Sequence, residues 1–189
     1  MQILVLYGSP HADGHTARLL RAFLEPFDGE AVDFVDAYAE QIAPCTACGY
    51  CKKKEGCSNP DFDRIDAYIR RADLLVVASP VYNLTFPAPL KAMMDRTQRY
   101  FEARFSLGKK PPIEKPKHAV LLAACGSDDG ADILERQLKM IFSVMNTRLE
   151  HTVVWSGTDR ATEREAAEAS TRAKGAALAI KREMCYDKT

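Results

Sequence analysis

Residues 3–16 run Ile3-Leu4-Val5-Leu6-Tyr7-Gly8-Ser9-Pro10-His11-Ala12-Asp13-Gly14-His15-Thr16. A short, unbroken apolar run that stops at Gly and Pro and passes into a helix-period stretch is the pattern of a strand buried on both faces of a parallel sheet. The pattern recurs at Leu74-Leu75-Val76-Val77-Ala78 and Ala119-Val120-Leu121-Leu122-Ala123, and the mixed segments Ala31 to Val35 and Thr152 to Trp155 read as flanking strands. Helix-period stretches lie between them over Thr16 to Phe27, Phe62 to Ala72, Pro87 to Tyr100 and Asp132 to Met145, with a long terminal helix expected over Ala161 to Met184. Such alternation implies right-handed βαβ units and an α/β fold: a doubly wound, five-stranded parallel sheet with helices on both faces.

The chain has 189 residues, 47% of them hydrophobic, which suits one domain over 1–189 with a substantial core. Lys plus Arg equal Asp plus Glu at 26 each, so no net charge draws the chain to nucleic acid or an anionic membrane. A small-molecule or protein partner is expected instead. No apolar run approaches bilayer length and no signal-peptide pattern precedes Ile3, which points to the cytoplasm, where the six cysteines would stay reduced.

In an open α/β sheet, ligands bind beyond the carboxyl ends of the strands, where the winding reverses. That rule puts three loops on one rim: Gly8 to Thr16, Ser79 to Pro87 and Cys125 to Gly130. The first leads from a strand into a helix, where free amides and the helix dipole attract an anion, and Ser9 and Thr16 add hydroxyl donors. Five residues separate Gly8 from Gly14 and His15 stands where a triphosphate loop needs Lys, so this is no Walker motif; nor is there a Gly-x-Gly-x-x-Gly run. What remains suits one phosphate held by neutral donors, or an ordinary Gly-Ser-Pro turn that caps a helix.

Gly8-Ser9-Pro10 with Gly14-His15-Thr16, then Ser79-Pro80-Val81-Tyr82-Asn83, then Pro87-Ala88-Pro89-Leu90-Lys91 with Asp95-Arg96, together resemble the NADPH-dependent FMN reductases, including their iron-sulfur flavoprotein branch. The resemblance covers roughly the first two-thirds of the chain. It implies a flavodoxin-like strand order of 2-1-3-4-5 and an FMN-dependent oxidoreductase with NADPH or NADH as donor. Ser9, His11, Gly14, His15 and Thr16 would then surround the FMN phosphate. Pro80, Val81, Tyr82 and Asn83 would line the isoalloxazine, with Gly126 and Ser127 at its other edge. A flavin that accepts hydride gains negative charge on its pyrimidine side, which preorganised amides stabilise. No obligate side-chain acid or base is expected. Leu84, Thr85 and Phe86 depart from the small residues often found after the Tyr-Asn pair; they would cover the flavin or shape a dimer contact. Relatives in the family pair into dimers, so a homo-oligomer is expected. A flavodoxin-like carrier without catalysis would use the same loops.

Cys45, Cys48, Cys51 and Cys57 fall within thirteen residues, in a cysteine-rich insert at 42–60. Three thiols at three-residue steps and a fourth beyond a Gly56 turn can surround one compact cubane. The spacing resembles the motif by which iron-sulfur flavoproteins hold a [4Fe-4S] cluster. Zinc, which prefers two knuckles farther apart and would make the insert a stapled interaction module, and metal-free thiols are the other readings. Lys52, Lys53 and Lys54 make a local positive patch, either a solvated loop or a dock for an acidic redox protein. Ser106 to Lys117 reads as a mobile surface loop. Tyr100, Phe101 and Phe105 are either core or subunit contact. Cys125 reads as a small buried residue or, less simply, a reactive thiol near the flavin, and His118, His151 and Cys185 are assigned no role.

Overall fold

A computed structural model of the chain describes residues 1–127 and 130–186, Tyr186 by its backbone alone. Strands β1 (Gln2–Tyr7), β2 (Ala31–Asp36), β3 (Leu74–Pro80), β4 (Lys117–Ala124) and β5 (Thr147–Trp155) form one parallel sheet. Their order is β2-β1-β3-β4-β5, as expected, so the winding reverses between β1 and β3.

Alternation along the strands builds two cores. Leu4, Leu6, Leu75 and Val77 face one side, covered by helices α4 (Asp63–Arg71), α5 (Ala88–Arg96) and α7 (Ala131–Phe142). Ile3, Val5, Leu74 and Val76 face the other, covered by α1 (His15–Leu24) and α8 (Glu163–Tyr186). Ala166, Ala169, Ala173 and Ala177 are buried along α8, and these small side chains let it lie close against Leu20 and Phe23 of α1. Each fully buried Leu or Phe of these layers contributes about 1.5–3 kcal/mol over its exposed state. Among the described residues, no helix is long and apolar enough to cross a membrane.

Two boundaries differ from expectation. β5 starts at Thr147 rather than Thr152, because the mostly polar stretch Thr147 to His151 pairs with β4 across a register shift while its side chains stay partly exposed. The single helix expected over Pro87 to Tyr100 is two: α5 ends at Arg96, and α6 (Gln98–Phe105) restarts at once. The joint is Thr97, whose hydroxyl donates to the Met94 carbonyl at 2.6 Å and whose own carbonyl accepts from the Tyr100 amide at 2.8 Å. The aromatic trio also divides. Tyr100 is core and donates to Asp66 at 2.6 Å, while Phe101 and Phe105 stand exposed with ring centroids 4.5 Å apart.

The insert leaves β2 through one turn, α2 (Ala37–Glu40), and contains a second, α3 (Tyr50–Lys53), before a 3-10 turn at Pro60–Phe62 enters α4. Its short helices suit its composition, since Gly, Pro and Cys break any longer period. α3 packs on α6.

Candidate functional site

The β1–α1 loop is shaped from beneath. Gly8 continues the sheet by donating to the Ala78 carbonyl at 2.8 Å, and it must lack a side chain: a Cβ there would lie 2.5 Å from Leu90 Cδ2. Tyr7 then donates its phenol to the His11 carbonyl at 2.6 Å, while the His11 amide donates to Ser9 Oγ at 3.2 Å. Ser9 and Thr16 are buried, at 5% and 2% exposure, whereas His11 and His15 are exposed. α1 opens at Gly14 without a side-chain cap and without an acidic residue in its first turn. The loop therefore presents what one phosphate needs: first-turn amides and two buried hydroxyls, with its one carboxylate, Asp13, paired with Arg21 at 3.0 Å. The His15 ring sits edge-on to Trp155, centroids 4.6 Å apart, which ties the loop to the end of β5.

The loop after β3 is a tight reversal. Tyr82 and Thr85 exchange amide hydrogen bonds of 3.0 Å each, with Asn83 at φ 50° and Leu84 at φ 60° between them. Two successive left-handed residues make a type I′ turn, a conformation in which Leu is strained. Val81 donates to the Ala124 carbonyl at 2.9 Å, so this loop is stitched to the end of β4, and Pro80 is the last residue of β3. Tyr82, Asn83 and Leu84 are all exposed on the rim. Phe86, in contrast, is 1% exposed and belongs to the core, so it neither covers a ligand nor forms a subunit contact.

Gly126 and Ser127 start the third loop in exposed positions; Asp128 and Asp129 lie outside the described residues. The loop ends at Gly130, where a Cβ would come within 2.8 Å of Leu84 Cδ2 and 3.0 Å of Val81 Cγ1. The second and third loops thus touch, and the three loops close around one crest at the β1/β3 reversal. Cys125 is buried with its amide on the Trp155 carbonyl, and burial pushes its thiol up, away from reactivity. Tyr38, unremarked in the sequence, has its phenol pKa raised by partial burial, with neighbouring Tyr82 and Asp36 adding to the rise. No sequence signal beyond its place just after β2 would have found it.

All four clustered cysteines line one cavity of about 260 Å³, which buried Arg96 and Glu102 and exposed Gln98 also line. They are free thiols. Cys48 meets Ser58 Oγ at 3.3 Å, and that hydrogen bond lowers its pKa; burial raises that of Cys51, with Glu102, Cys45 and Cys57 adding to the rise. Among the described residues, no three His, Cys, Asp or Glu side chains are gathered closely enough to hold a single ion. Four thiols bordering one cavity are the donor set that a polynuclear cluster takes. Lys52, Lys53 and Lys54 are exposed beside it.

Comparison with known proteins places the same residues in a wider group. The family model described as NADPH-dependent FMN reductase matches residues 1–159. An iron-sulfur flavoprotein of Methanosarcina thermophila is 33% identical over 149 residues, which cover 77% of this chain and 73% of that protein. An FMN-dependent NADH:quinone oxidoreductase of Stenotrophomonas maltophilia is 26% identical over 159 residues, 77% of this chain and 78% of its own. The fold is shared with an NAD(P)H:quinone oxidoreductase from Methanothermobacter marburgensis, at TM-score 0.73 and 22% identity over 94% of this chain and 97% of that one.

Proposed function

This chain belongs to the NADPH-dependent FMN reductase family, and from that premise we propose that FMN lies across the three rim loops and that Cys45, Cys48, Cys51 and Cys57 hold a [4Fe-4S] cluster. The protein is an FMN-dependent oxidoreductase with a nicotinamide, NADPH or NADH, as electron donor. Bound FMN supplies hydride acceptance from the nicotinamide and onward delivery of electrons.

The chain's own residues bind and orient. Ser9 and Thr16 hydroxyls and the first-turn amides of α1 receive the phosphate, with His11, Gly14 and His15 closing the loop around it. Pro80, Val81, Tyr82 and Asn83 form one wall of the isoalloxazine slot. Gly126 and Ser127 offer main-chain donors at its other edge, where preorganised amides stabilise developing negative charge. One observation carries this assignment: the three loops meet at the strand reversal, with Gly130 against Leu84 and Val81.

The four thiols support the cluster through their common cavity and through their spacing. A reducing, cytoplasmic setting suits six free cysteines. The sheet and the insert act as one domain, and the exposed Phe101–Phe105 pair of α6, on which α3 with its exposed Lys52 and Lys53 packs, suits either a second copy of the chain or an acidic redox partner.

Steady-state oxidation of NADPH and NADH by the FMN-loaded, anaerobically purified protein, with a quinone or free flavin as acceptor, tests the enzymatic assignment. Turnover well above background is expected with at least one donor. Turnover at background with every pair would leave only a carrier role, and metal analysis finding zinc without iron would replace the cluster with a structural ion.

A further inference from the structure

Arg96 closes α5 with its side chain only 2% exposed. A cation taken so completely out of water is stable only where its donors and charge are all answered. Here both Nη atoms are used twice. Nη1 donates to the Ala43 carbonyl at 2.9 Å and meets Asp61 Oδ1 at 2.6 Å; Nη2 donates to the Asn59 carbonyl at 2.7 Å and to Cys57 Sγ at 3.5 Å. Ala43 precedes the first clustered cysteine, while Asn59 and Asp61 follow the last. One side chain therefore ties the two ends of the cysteine segment together, and it also reaches a thiol. The planar fork makes this possible, since its donors point in fixed and different directions, which an ammonium does not reproduce.

We propose that Arg96 is the positioning residue of the four-thiol cavity: it clasps residues 43–61 into a closed loop, holds Cys57 in the set, and through its charge-assisted bond to that sulfur raises the reduction potential of the cluster. The second half rests on the cluster assignment above; the clasp does not. Hydrogen bonds to ligand sulfurs and nearby positive charge both favour the more negative, reduced state of an iron-sulfur centre. Arg96 also sits at the far end of a helix that begins beside the rim loops, so nine residues, about 13 Å at 1.5 Å each, join the two redox sites through one rigid element.

The experiment compares wild type, Arg96→Gln and Arg96→Lys. Circular dichroism and bound FMN establish that each variant folds. Hydrogen exchange read by mass spectrometry on the cluster-free proteins reports the clasp: amides of residues 43–61 should exchange about tenfold faster or more in Arg96→Gln, as loss of a bond to a charged group implies, with the sheet unchanged. Arg96→Lys, which keeps charge without the fork, should also loosen the segment. After anaerobic reconstitution, iron retention should fall in both variants, and the midpoint potential of the cluster that remains should move negative in Arg96→Gln and less so in Arg96→Lys. Unchanged exchange over 43–61 in a folded Arg96→Gln would overturn the clasp. A potential that stays put while exchange rises would overturn the tuning. A wild type that takes up no iron while exchange still responds would overturn the cluster assignment and the tuning with it, and would leave the clasp supported.

Discussion

Tyr7 and His11 are joined by a 2.6 Å hydrogen bond from phenol to main-chain carbonyl, so the last residue of β1 sets the shape of the loop that follows. Burial raises the Tyr7 pKa, which keeps the phenol a donor through the physiological range. Tyr7→Phe keeps the ring in the core and removes only the bond. At about 1 kcal/mol for a neutral hydrogen bond, FMN affinity should weaken about fivefold while the fold remains. Titration of the apoprotein with FMN by fluorescence checks this, and an unchanged affinity would mean the loop keeps its shape without the tie.

Gly8 is fixed by packing rather than by backbone conformation. Gly8→Ala would drive a methyl into Leu90 and Ser79, at 2.5 and 3.2 Å. A loss of about 1–3 kcal/mol is expected from overpacking, with weaker FMN binding because the loop is pushed off the crest. Denaturant unfolding with and without FMN measures both.

The cysteines separate into two groups. Cys45→Ser, Cys48→Ser, Cys51→Ser and Cys57→Ser should each lose the iron-dependent visible absorbance and retain FMN, because the insert lies outside the sheet that carries the rim loops. Cys125→Ser and Cys185→Ser should keep both. Chelation of iron should likewise strip the cluster without unfolding β1 to β5, and a cooperative loss of sheet signal on chelation would contradict this.

Lys117 is buried at the start of β4, and burial, helped by Lys115 and Arg70, pulls its ammonium down to about 8. Its unfolded value is about 10.4. Below pH 8 both states are charged and the folded state bears the whole desolvation cost. Between about 8 and 10.4 the folded state releases its proton first, the unfolded chain binds more protons, and this group's contribution to stability improves as pH rises. Lys117→Met should remove that slope and stabilise the protein at pH 7 by about 1–2 kcal/mol. Thermal unfolding of both proteins across pH 7 to 10.5 shows whether the slope belongs to Lys117.

The strands β1, β3 and β4 were legible because a sheet covered on both faces demands continuous apolar runs, and Leu74 to Ala78 has no other use. The start of β5 was not, since in Thr147 to His151 only Leu149 is apolar and the stretch joins β4 across a register shift. The break at Thr97 left no trace in the apolar period because Gln98 to Phe105 continues a helical pattern in a new direction. At the site, the order Gly8-Ser9-Pro10, Ser79 to Asn83 and Gly126-Ser127 pointed to one crest, and the loops do meet there. Asn83 is a residue that tolerates the left-handed conformation, but Leu84 in it was invisible, as a branched side chain rarely adopts it. Arg96 was visible as a letter in a motif but not as a clasp, because its four partners lie 35 to 53 residues away along the chain and only the fold brings them together.

Iron, sulfide and FMN quantified together on one anaerobically purified sample test the account most directly. About one FMN and about four irons per chain are expected, with the iron lost and the FMN kept in Cys57→Ser. A colourless protein that takes up no FMN, or one whose iron survives that substitution undiminished, would contradict it.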